Sequence, residues 1–490
     1  AHAIKRDFTP ALAAYDKVLE QDSSYDYAVR EHARTLFWDQ QYEKSYERYE
    51  FLLARLPTEG MAVDFFDEPV DNVALQALSD FESGSDFAQS VMLEYEAKKN
   101  MSFRPPLAQQ ALEELRIREP ANQEALFDLA QIEHRRGMTD DAIEHYEELI
   151  EVAGGHQEAM KALAGAQREL NPGLDFAFKT EERNGRDGLA FMDESSHIAD
   201  TKFVLGNRDD AIGFGLGRRT YTPGVDPQGI YSTGSTDTLN ANVLRVFGST
   251  RLGMSTVLDM TTEFATYDDE GRFSDRLYFD GGVTYTSEAA TRVKLRLFNE
   301  PVAENAETLL RDIFRTGGRI GVEMAISRRF DVGVSGMIAD YSDDNTRVEG
   351  NLFVAYEFLA APTELRVLVK GDFIDCSTET DAEDLNAPFG TIWADLDVPY
   401  FSPEGYSVYT IQTNWRHQLG KDWFTGADNM YYTVTGGMAI DSNSVGFVEF
   451  SMGGGYDITN FLSLEAGLRM VRSSAIDITS GYAQVVVRWP

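Results

Sequence analysis

The sequence predicts two structural classes in one chain, an α-helical repeat domain over residues 1–171 and an antiparallel transmembrane β-barrel of about 16 strands over residues 172–490. Two observations predict this division. Apolar residues recur at helical spacing in units of 34 up to about Leu170, and from Leu174 to Trp489 they alternate at every second position. Asn171-Pro172-Gly173, a cluster of residues that end helices, marks the boundary.

The helical part contains residues that recur after 34 positions. Phe8, Ala11, Tyr15 and Leu19 recur as Tyr42, Ser45, Tyr49 and Leu53, and Ala108 and Leu112 recur as Ala142 and Tyr146. This period is typical of tetratricopeptide (TPR) repeats, in which a small residue lets two helices approach and an aromatic residue fills the gap. The segment therefore indicates a TPR-like α-solenoid, with a generic helical bundle as the alternative.

Two segments depart from this regular pattern. Met61–Arg104 fits less well, because Ser45 and Ala108 are 63 positions apart instead of 68, and we interpret it as a degenerate repeat. A shift of 34 positions places Ala1–Ile4 on Thr35–Trp38, which is the last turn of the first helix of a repeat. Because a repeat buries its apolar face against a neighbour, we expect further repeats upstream in the natural protein.

Strict alternation of apolar and charged residues predicts the strands of the barrel. Leu295 and Leu297, for example, interleave with Lys294 and Arg296. Runs of about ten residues or more suit a tilted membrane strand better than a strand of a soluble sandwich. The predicted strands are 174–184, 189–204, 210–222, 240–250, 253–266, 276–287, 290–299, 313–327, 330–341, 346–359, 363–375, 405–418, 422–435, 444–457, 461–474 and 480–489, with 14 or 18 strands as alternatives.

The connections between these strands alternate in length, as they do in outer-membrane barrels. The predicted short turns are Asn184-Gly185, Ser287–Ala290, Ser327–Arg329, Ala360–Thr363, Gly420-Lys421 and Thr459-Asn460. The predicted long loops are Thr222–Asp237, Tyr267–Ser274, Tyr341–Asn345, Ser377–Thr391 and Ala439–Ser444. Aromatic residues near strand ends suggest interfacial girdles, namely Tyr221, Tyr267, Trp423, Tyr431, Tyr432 and Trp489.

The charged side chains that alternate with the apolar set are candidates for lining the lumen. In a barrel of this size the interior is an aqueous channel, so polar residues face inward. The candidates are Arg292, Lys294, Arg296, Arg366, Lys370, Arg416, Arg469 and Arg488, with Glu323, Glu449 and Glu465 opposite them. The alternative interpretation is a set of internal salt bridges without contact to cargo. Inward Tyr or Trp rings could stack on sugars, although girdle positions suit most of them better.

Two long irregular stretches, Glu300–Arg315 and Asp375–Asp397, interrupt the strands. Because an open channel this wide would leak, either could fold inward as a constriction, and an exposed surface loop is the alternative. Acidic clusters at Asp209-Asp210, Asp268–Glu270 and Asp343-Asp344 lack the spacing of a known calcium loop and indicate solvated charge.

Composition and motifs exclude several classes of function. The formal net charge of −37 argues against nucleic acid as a partner, because phosphate binding needs clustered Lys and Arg. The sequence contains no run of 18 apolar residues, so it predicts no transmembrane helix. The zinc-binding His-Glu-x-x-His motif, the Gly-x-Ser-x-Gly elbow and a phosphate loop are absent. We therefore expect no enzyme activity, catalytic residues, cofactor or metal, and the single Cys376 permits no intrachain disulfide.

A helical-repeat arm followed by a barrel resembles the outer-membrane secretins of exopolysaccharide synthase systems, such as the outer-membrane component of cellulose synthase and the poly-N-acetylglucosamine porin. Within Pro399–Tyr406, the residues Tyr400-Phe401-Ser402-Pro403 are similar to an aromatic-aromatic-Ser-Pro element of the cellulose family. The resemblance implies a polysaccharide porin in the Gram-negative outer membrane. It implies outer-membrane lipid around the barrel and a periplasmic TPR arm that docks modifying enzymes or the inner-membrane synthase complex.

Two other hypotheses remain open at this point. In one, the barrel only anchors an assembly or adhesion scaffold that presents the repeats. In the other, the barrel is an outer-membrane enzyme that acts on lipid or peptide, although His197 and His417 are the only histidines in the barrel region.

Overall fold

The computed structural model describes residues 8–56, 86–153, 156–184, 190–223, 238–268, 274–360, 362–380, 396–419, 430–459 and 461–489. The predictions made for Ala1–Ile4, for 61–85 of the degenerate repeat, for 381–395 of the stretch Asp375–Asp397 and for Trp423 lie outside these residues. The chain divides into two compact units, one of residues 1–136 and 141–163 and the other of residues 137–140 and 164–490.

The first unit is α-helical, as the sequence predicts. The helices before the barrel are α1 Phe8–Gln21, α2 Asp26–Trp38, α3 Tyr42–Leu53, α4 Asp86–Asn100, α5 Pro105–Arg118, α6 Gln123–Arg135, α7 Thr139–Ala153 and α8 Gln157–Leu170. No helix in the described part of the chain is both long enough and apolar enough to span a lipid bilayer.

The 34-residue period is visible in the helix boundaries. α1 and α3 begin at Phe8 and Tyr42, and α5 and α7 begin at Pro105 and Thr139, so each pair of starts is 34 residues apart. The small residues of the repeat are buried, and the hydroxyl of Ser45 donates a 2.7 Å hydrogen bond to the carbonyl oxygen of Ala33 in the preceding helix. Gly137 adopts a φ of 81° after α6, a conformation that ends helices and favours glycine.

Buried ion pairs connect helices of this unit. The guanidinium groups of Arg30 and Arg34 both contact Glu94, at 2.6 Å each. Burial disfavours the charged carboxylate, but the two cations outweigh burial and hold the pKa of Glu94 well below its usual range. One helical turn further along α4, the ammonium group of Lys98 lies between the carboxylates of Glu124 and Asp128.

The second unit contains a closed antiparallel barrel, and sixteen strands are present among its described residues. The strands are β1 Gly173–Asn184, β2 Ala190–Leu205, β3 Asn207–Pro223, β4 Leu239–Leu252, β5 Thr256–Tyr267, β6 Arg276–Thr286, β7 Arg292–Pro301, β8 Phe314–Ser327, β9 Phe330–Tyr341, β10 Thr346–Leu359, β11 Thr363–Cys376, β12 Tyr406–Gln418, β13 Met430–Asp441, β14 Gly446–Thr459, β15 Leu462–Ser473 and β16 Asp477–Arg488. Each strand pairs with its sequence neighbours, and β1 pairs with β16 from Gly173↔Arg488 to Asn184↔Asp477.

The outward face of the barrel is apolar and exposed. Leu297 on β7 is 60% exposed, and large apolar residues at alternate positions along the other strands are exposed in the same way. These include Phe176, Ile212, Leu244, Met260, Leu277, Ile320, Val334, Leu352, Val369, Ile411, Met438, Val448 and Leu468. An apolar surface that runs around a whole barrel suits hydrocarbon and not water, so the barrel has the exterior of a membrane-spanning one.

Two details of the predicted barrel are wrong. The strand predicted at 422–435 is β13, Met430–Asp441, so it ends later than predicted. The turn predicted at Gly420-Lys421 lies outside the described residues. The predicted strand stopped before Gly436-Gly437, but β12 and β14 pair with both glycines in regular register, which overrides their low β-propensity. The Asn184-Gly185 connection joins β1 to β2 and so lies at the barrel end that carries the long loops, which we call the loop end.

The predicted aromatic girdle is wrong in part. Tyr221 is buried and packs with Met192 and Leu239, and Tyr267 is hydrogen-bonded to Tyr278 at 3.3 Å on the same inward face. Tyr221 alternates with the exposed Ile212, Phe214 and Leu216 of β3, so its inward position follows from strand parity. Tyr431 also faces inward, because it pairs with Gly455, which in turn pairs with the inward Glu465. Tyr432 and Trp489 are exposed, in keeping with outward positions.

Candidate functional site: the barrel lumen

Charged side chains line the concave face of the barrel. Arg219 on β3 contacts Glu263 on β5 at 2.9 Å, and Arg296 on β7 contacts Asp259 on β5 at 2.8 Å. Each pair reaches across an intervening strand. Because side chains converge only on the inner side of a curved sheet, these ion pairs identify the charged face as the lumen.

All of the predicted lumen residues lie on this inward face, and most are paired there with neighbouring side chains. Arg292 and Lys294 contact Glu323 at 3.5 and 2.8 Å, Arg366 contacts Asp331 at 3.0 Å, Lys370 contacts Asp372 at 3.0 Å, and Arg469 contacts Glu449 at 2.7 Å. Glu465 accepts a hydrogen bond from Tyr482, Arg488 donates one to Ser463, and Arg416 lies over the ring of Tyr431. Contact of these residues with cargo stays a prediction.

The connection between β7 and β8 folds into the lumen. Arg183 on β1 donates a hydrogen bond to the carbonyl oxygen of Ala303 in this connection, although five strands separate β1 from β7 in the wall. Leu309 packs against Met192, Tyr221 and Leu239 of β2–β4. A contact between such distant parts of the wall requires the connection to cross the interior. Of the two alternatives for Glu300–Arg315, the structure therefore has the inward constriction.

A short helix shapes the middle of this connection. α9 spans Ala306–Leu310, and its N-cap Asn305 accepts hydrogen bonds from the backbone N–H groups of Glu307 and Thr308. The hydroxyl of Thr308 in turn accepts from the N–H of Asn305, which completes a capping box. The side-chain amide of Asn305 also donates to the carbonyl oxygen of Pro399, so the cap joins the connection to a second segment.

That second segment contains the family-like motif, Tyr400-Phe401-Ser402-Pro403. The ring of Tyr400 is fully buried and stacks on Tyr341 of β9, with centroids 4.7 Å apart and planes 11° apart. Its hydroxyl donates to Asp343 at 3.1 Å and accepts from the side-chain amide of Asn345 at 3.1 Å. The N–H of Phe401 donates to Glu304 in the β7–β8 connection at 3.0 Å.

Asn345 organises the base of this segment, and the sequence argument missed its role. Its amide donates to Ser402 at 2.8 Å, and its carbonyl oxygen accepts from the hydroxyl of Ser377 and the N–H of Thr378. The hydroxyl of Ser402 donates to the carbonyl oxygen of Thr378 at 2.6 Å. A single asparagine therefore connects three loop segments, and it is 1% exposed. The only sequence signal was its place at the end of a predicted loop.

We use the name lumen lock for these two segments, residues 302–313 and 398–402, and for the wall residues that they contact. On the side of β7 and β9 its core consists of Phe298, Val302, Ile313, Met337, Ala339, Tyr341, Val398 and Tyr400. Beside the lock lies a cavity of about 440 Å³, lined by Arg183, Glu194, Arg219, Tyr221, Glu263, Tyr278 and Arg315 among others. Its lining contains cationic and anionic side chains as well as tyrosine rings.

The described residues offer no clustered set of metal ligands. No group of three or more His, Cys, Asp or Glu residues that could hold a metal ion exists within the described ranges. Cys376 is buried at the end of β11, and its backbone N–H donates to the carbonyl oxygen of Pro403. The features that characterise the lumen are therefore its shape, its charge and its lock.

No known protein family matches the sequence, and no curated protein is similar to it. Among solved structures, a bacterial polysaccharide outer membrane secretin is similar at 12% identity and a TM-score of 0.46, over 66% of this chain and 99% of that one. OpdO of Pseudomonas aeruginosa is similar at 10% identity and 0.34, over 65% and 96%. OccAB1 of Acinetobacter baumannii is similar at 10% identity and 0.35, over 65% and 97%. Similarity this low does not extend to cargo or partners.

Proposed function

We propose that this chain is an outer-membrane porin that exports a secreted polysaccharide. In this proposal the long loops of the barrel face outward, and the helical unit is a periplasmic TPR arm that docks the synthase complex or glycan-modifying enzymes. The chain itself has no catalytic role.

One observation carries the proposal: a sixteen-stranded barrel with an apolar exterior has a charged lumen that its own connections cross. A sixteen-stranded barrel encloses a channel wide enough for water and solutes. An anchor has no need for a polar passage, whereas a conduit has to be closed when it is idle. The 34-residue period of the helices supports the TPR arm, because such repeats commonly present binding surfaces.

Planar-bilayer conductance tests the conduit. We expect the native chain to conduct weakly and a variant with Glu304–Arg311 replaced by a short glycine-serine linker to conduct strongly. Glycine substitutions at Ser474–Ile476, a connection at the same barrel end, serve as the control and leave conductance unchanged. A linker variant that conducts no better than the native chain contradicts a conduit.

Secretion in the source bacterium tests the cargo. Deletion of the gene should reduce extracellular glycan at least tenfold and cause glycan to accumulate in the periplasm, and expression of the native chain should restore secretion. If the barrel only anchors a scaffold, secretion does not require its lumen. Fusion of the arm to an unrelated outer-membrane anchor then restores secretion. Loss of function on substitution of His197 or His417, with conductance unchanged, would favour the enzyme hypothesis.

A further inference from the structure

The wall formed by β13–β16 carries a tyrosine ring that is seated against glycine. Tyr482 on β16 faces inward, because its hydroxyl donates to the inward Glu465 at 3.2 Å. A Cβ added to Gly467 would lie 2.5 Å from Cε1 of Tyr482, and one added to Gly453 would lie 3.2 Å from its hydroxyl. Only glycine leaves room for the ring to lie along the wall at this point. The side chain is still 43% exposed, so part of the ring faces the wet lumen.

Polar groups lie beside the exposed ring. The hydroxyl of Tyr431 also hydrogen-bonds to Glu465, so two phenols share one carboxylate. The guanidinium group of Arg416 lies 4.5 Å from the centroid of the Tyr431 ring. Within the described part of the chain Glu465 forms no ion pair, unlike the inward carboxylates Glu449 and Asp331. A flat apolar ring next to a carboxylate that bonds to phenols, and to no cation among the described residues, is therefore available to a solute in the lumen.

We propose that Tyr482 and Glu465 form a subsite for a neutral or amino-bearing pyranose ring of the exported glycan, an inference that rests on the proposed function. Pyranose rings present apolar C–H faces that pack on aromatic rings, while their hydroxyl or ammonium groups donate to a carboxylate. A uronic acid brings its own carboxylate toward Glu465 and is disfavoured by repulsion. The subsite holds one sugar unit at a time on the lumen wall.

Isothermal titration of the full chain in detergent tests the subsite with three probes, cellotetraose, a glucosamine tetramer and a tetragalacturonate. The first two should bind, and the third should bind at least tenfold more weakly. Tyr482→Leu should weaken binding of the first two at least fivefold, and Tyr482→Phe, which keeps the ring, should stay within threefold of the native chain. Glu465→Gln should weaken the glucosamine tetramer more than cellotetraose.

The matched control is Tyr432→Leu, which removes an exposed tyrosine from the outward face and should leave binding unchanged. Heat-dependent migration on gels verifies that every variant retains a folded barrel. The subsite is overturned if no probe binds the native chain, if Tyr482→Leu binds as well as Tyr432→Leu, or if tetragalacturonate binds as tightly as the others. Because these results come from binding alone, they are independent of the conductance and secretion results that decide the proposed function.

Discussion

Removal of the Tyr400 ring should open the lumen lock. Tyr400→Ala deletes a fully buried aromatic side chain, its stack on Tyr341 and its bonds to Asp343 and Asn345. Truncation of a buried aromatic residue to alanine costs about 3–5 kcal/mol. If this loss destabilises only the state in which the segment 398–402 is docked, the ratio of undocked to docked molecules rises by roughly 10²–10⁴, since about 1.4 kcal/mol corresponds to a factor of ten.

Tyr400→Phe makes the prediction quantitative, because it keeps the ring and removes only the hydroxyl. The loss leaves Asn345 and Asp343 with one partner fewer each, which costs about 1–3 kcal/mol. We therefore expect an increase in the undocked population of roughly 5- to 150-fold, smaller than for the alanine variant. The undocked population should therefore increase from the native chain to Tyr400→Phe and again to Tyr400→Ala, because each change removes more contacts.

Single-channel recording in planar bilayers measures the open fraction of each variant. Tyr409→Ala is the control, because Tyr409 is 54% exposed on the outward face and its ring packs against Phe373, which is not part of the lock. The reasoning is refuted if Tyr400→Ala has an open fraction within threefold of both the native chain and Tyr409→Ala. It is also refuted if the phenylalanine variant opens more than the alanine variant.

Two further predictions concern the helical unit, measured by denaturant unfolding of the chain followed at 222 nm. Lys98→Met should lower the free energy of unfolding of the helices by about 3–5 kcal/mol, because it removes the ammonium group that the buried carboxylates of Glu124 and Asp128 both contact. Lys99→Met should change this free energy by less than about 1 kcal/mol, and equal losses would contradict this account. Burial raises the pKa of Glu96 to about 7, so the folded helix keeps a proton that the unfolded chain releases above its ordinary pKa, and stability falls as the pH rises from about 4.5 to 7. Glu96→Gln removes this loss and should stabilise the helices by about 3 kcal/mol at pH 8 and by almost nothing at pH 4. An equal gain at both pH values would contradict the assignment.

Local periodicity predicted the fold class and the inward face of each strand. A strand alternates by backbone geometry alone, so the exposed Leu297 determines that its neighbours Arg296 and Phe298 point inward. The same reasoning was available for Tyr221, whose parity places it inside, yet its position near a strand end suggested a girdle. Parity is the stronger signal of the two, because it follows from the chain itself and not from an average tendency of aromatic residues.

The end of one strand was harder to predict. The predicted strand 422–435 stopped before Gly436-Gly437, but β12 and β14 pair with both residues and the strand continues to Asp441. Hydrogen bonds from neighbouring strands compensate for a low local preference. That information belongs to the paired strands and not to the residues next to these glycines in the sequence.

By itself, the sequence determined the helical unit with its 34-residue offsets, the sixteen-stranded barrel and the charged character of its interior, because all three follow from periodic patterns along the chain. Only the tertiary structure decided that the β7–β8 connection crosses the lumen and that the Tyr400 segment docks beside it. These features depend on contacts such as Arg183 with Ala303 and Tyr400 with Tyr341, which join distant parts of the chain. Such contacts exist only once the barrel has closed and brought its walls to face each other.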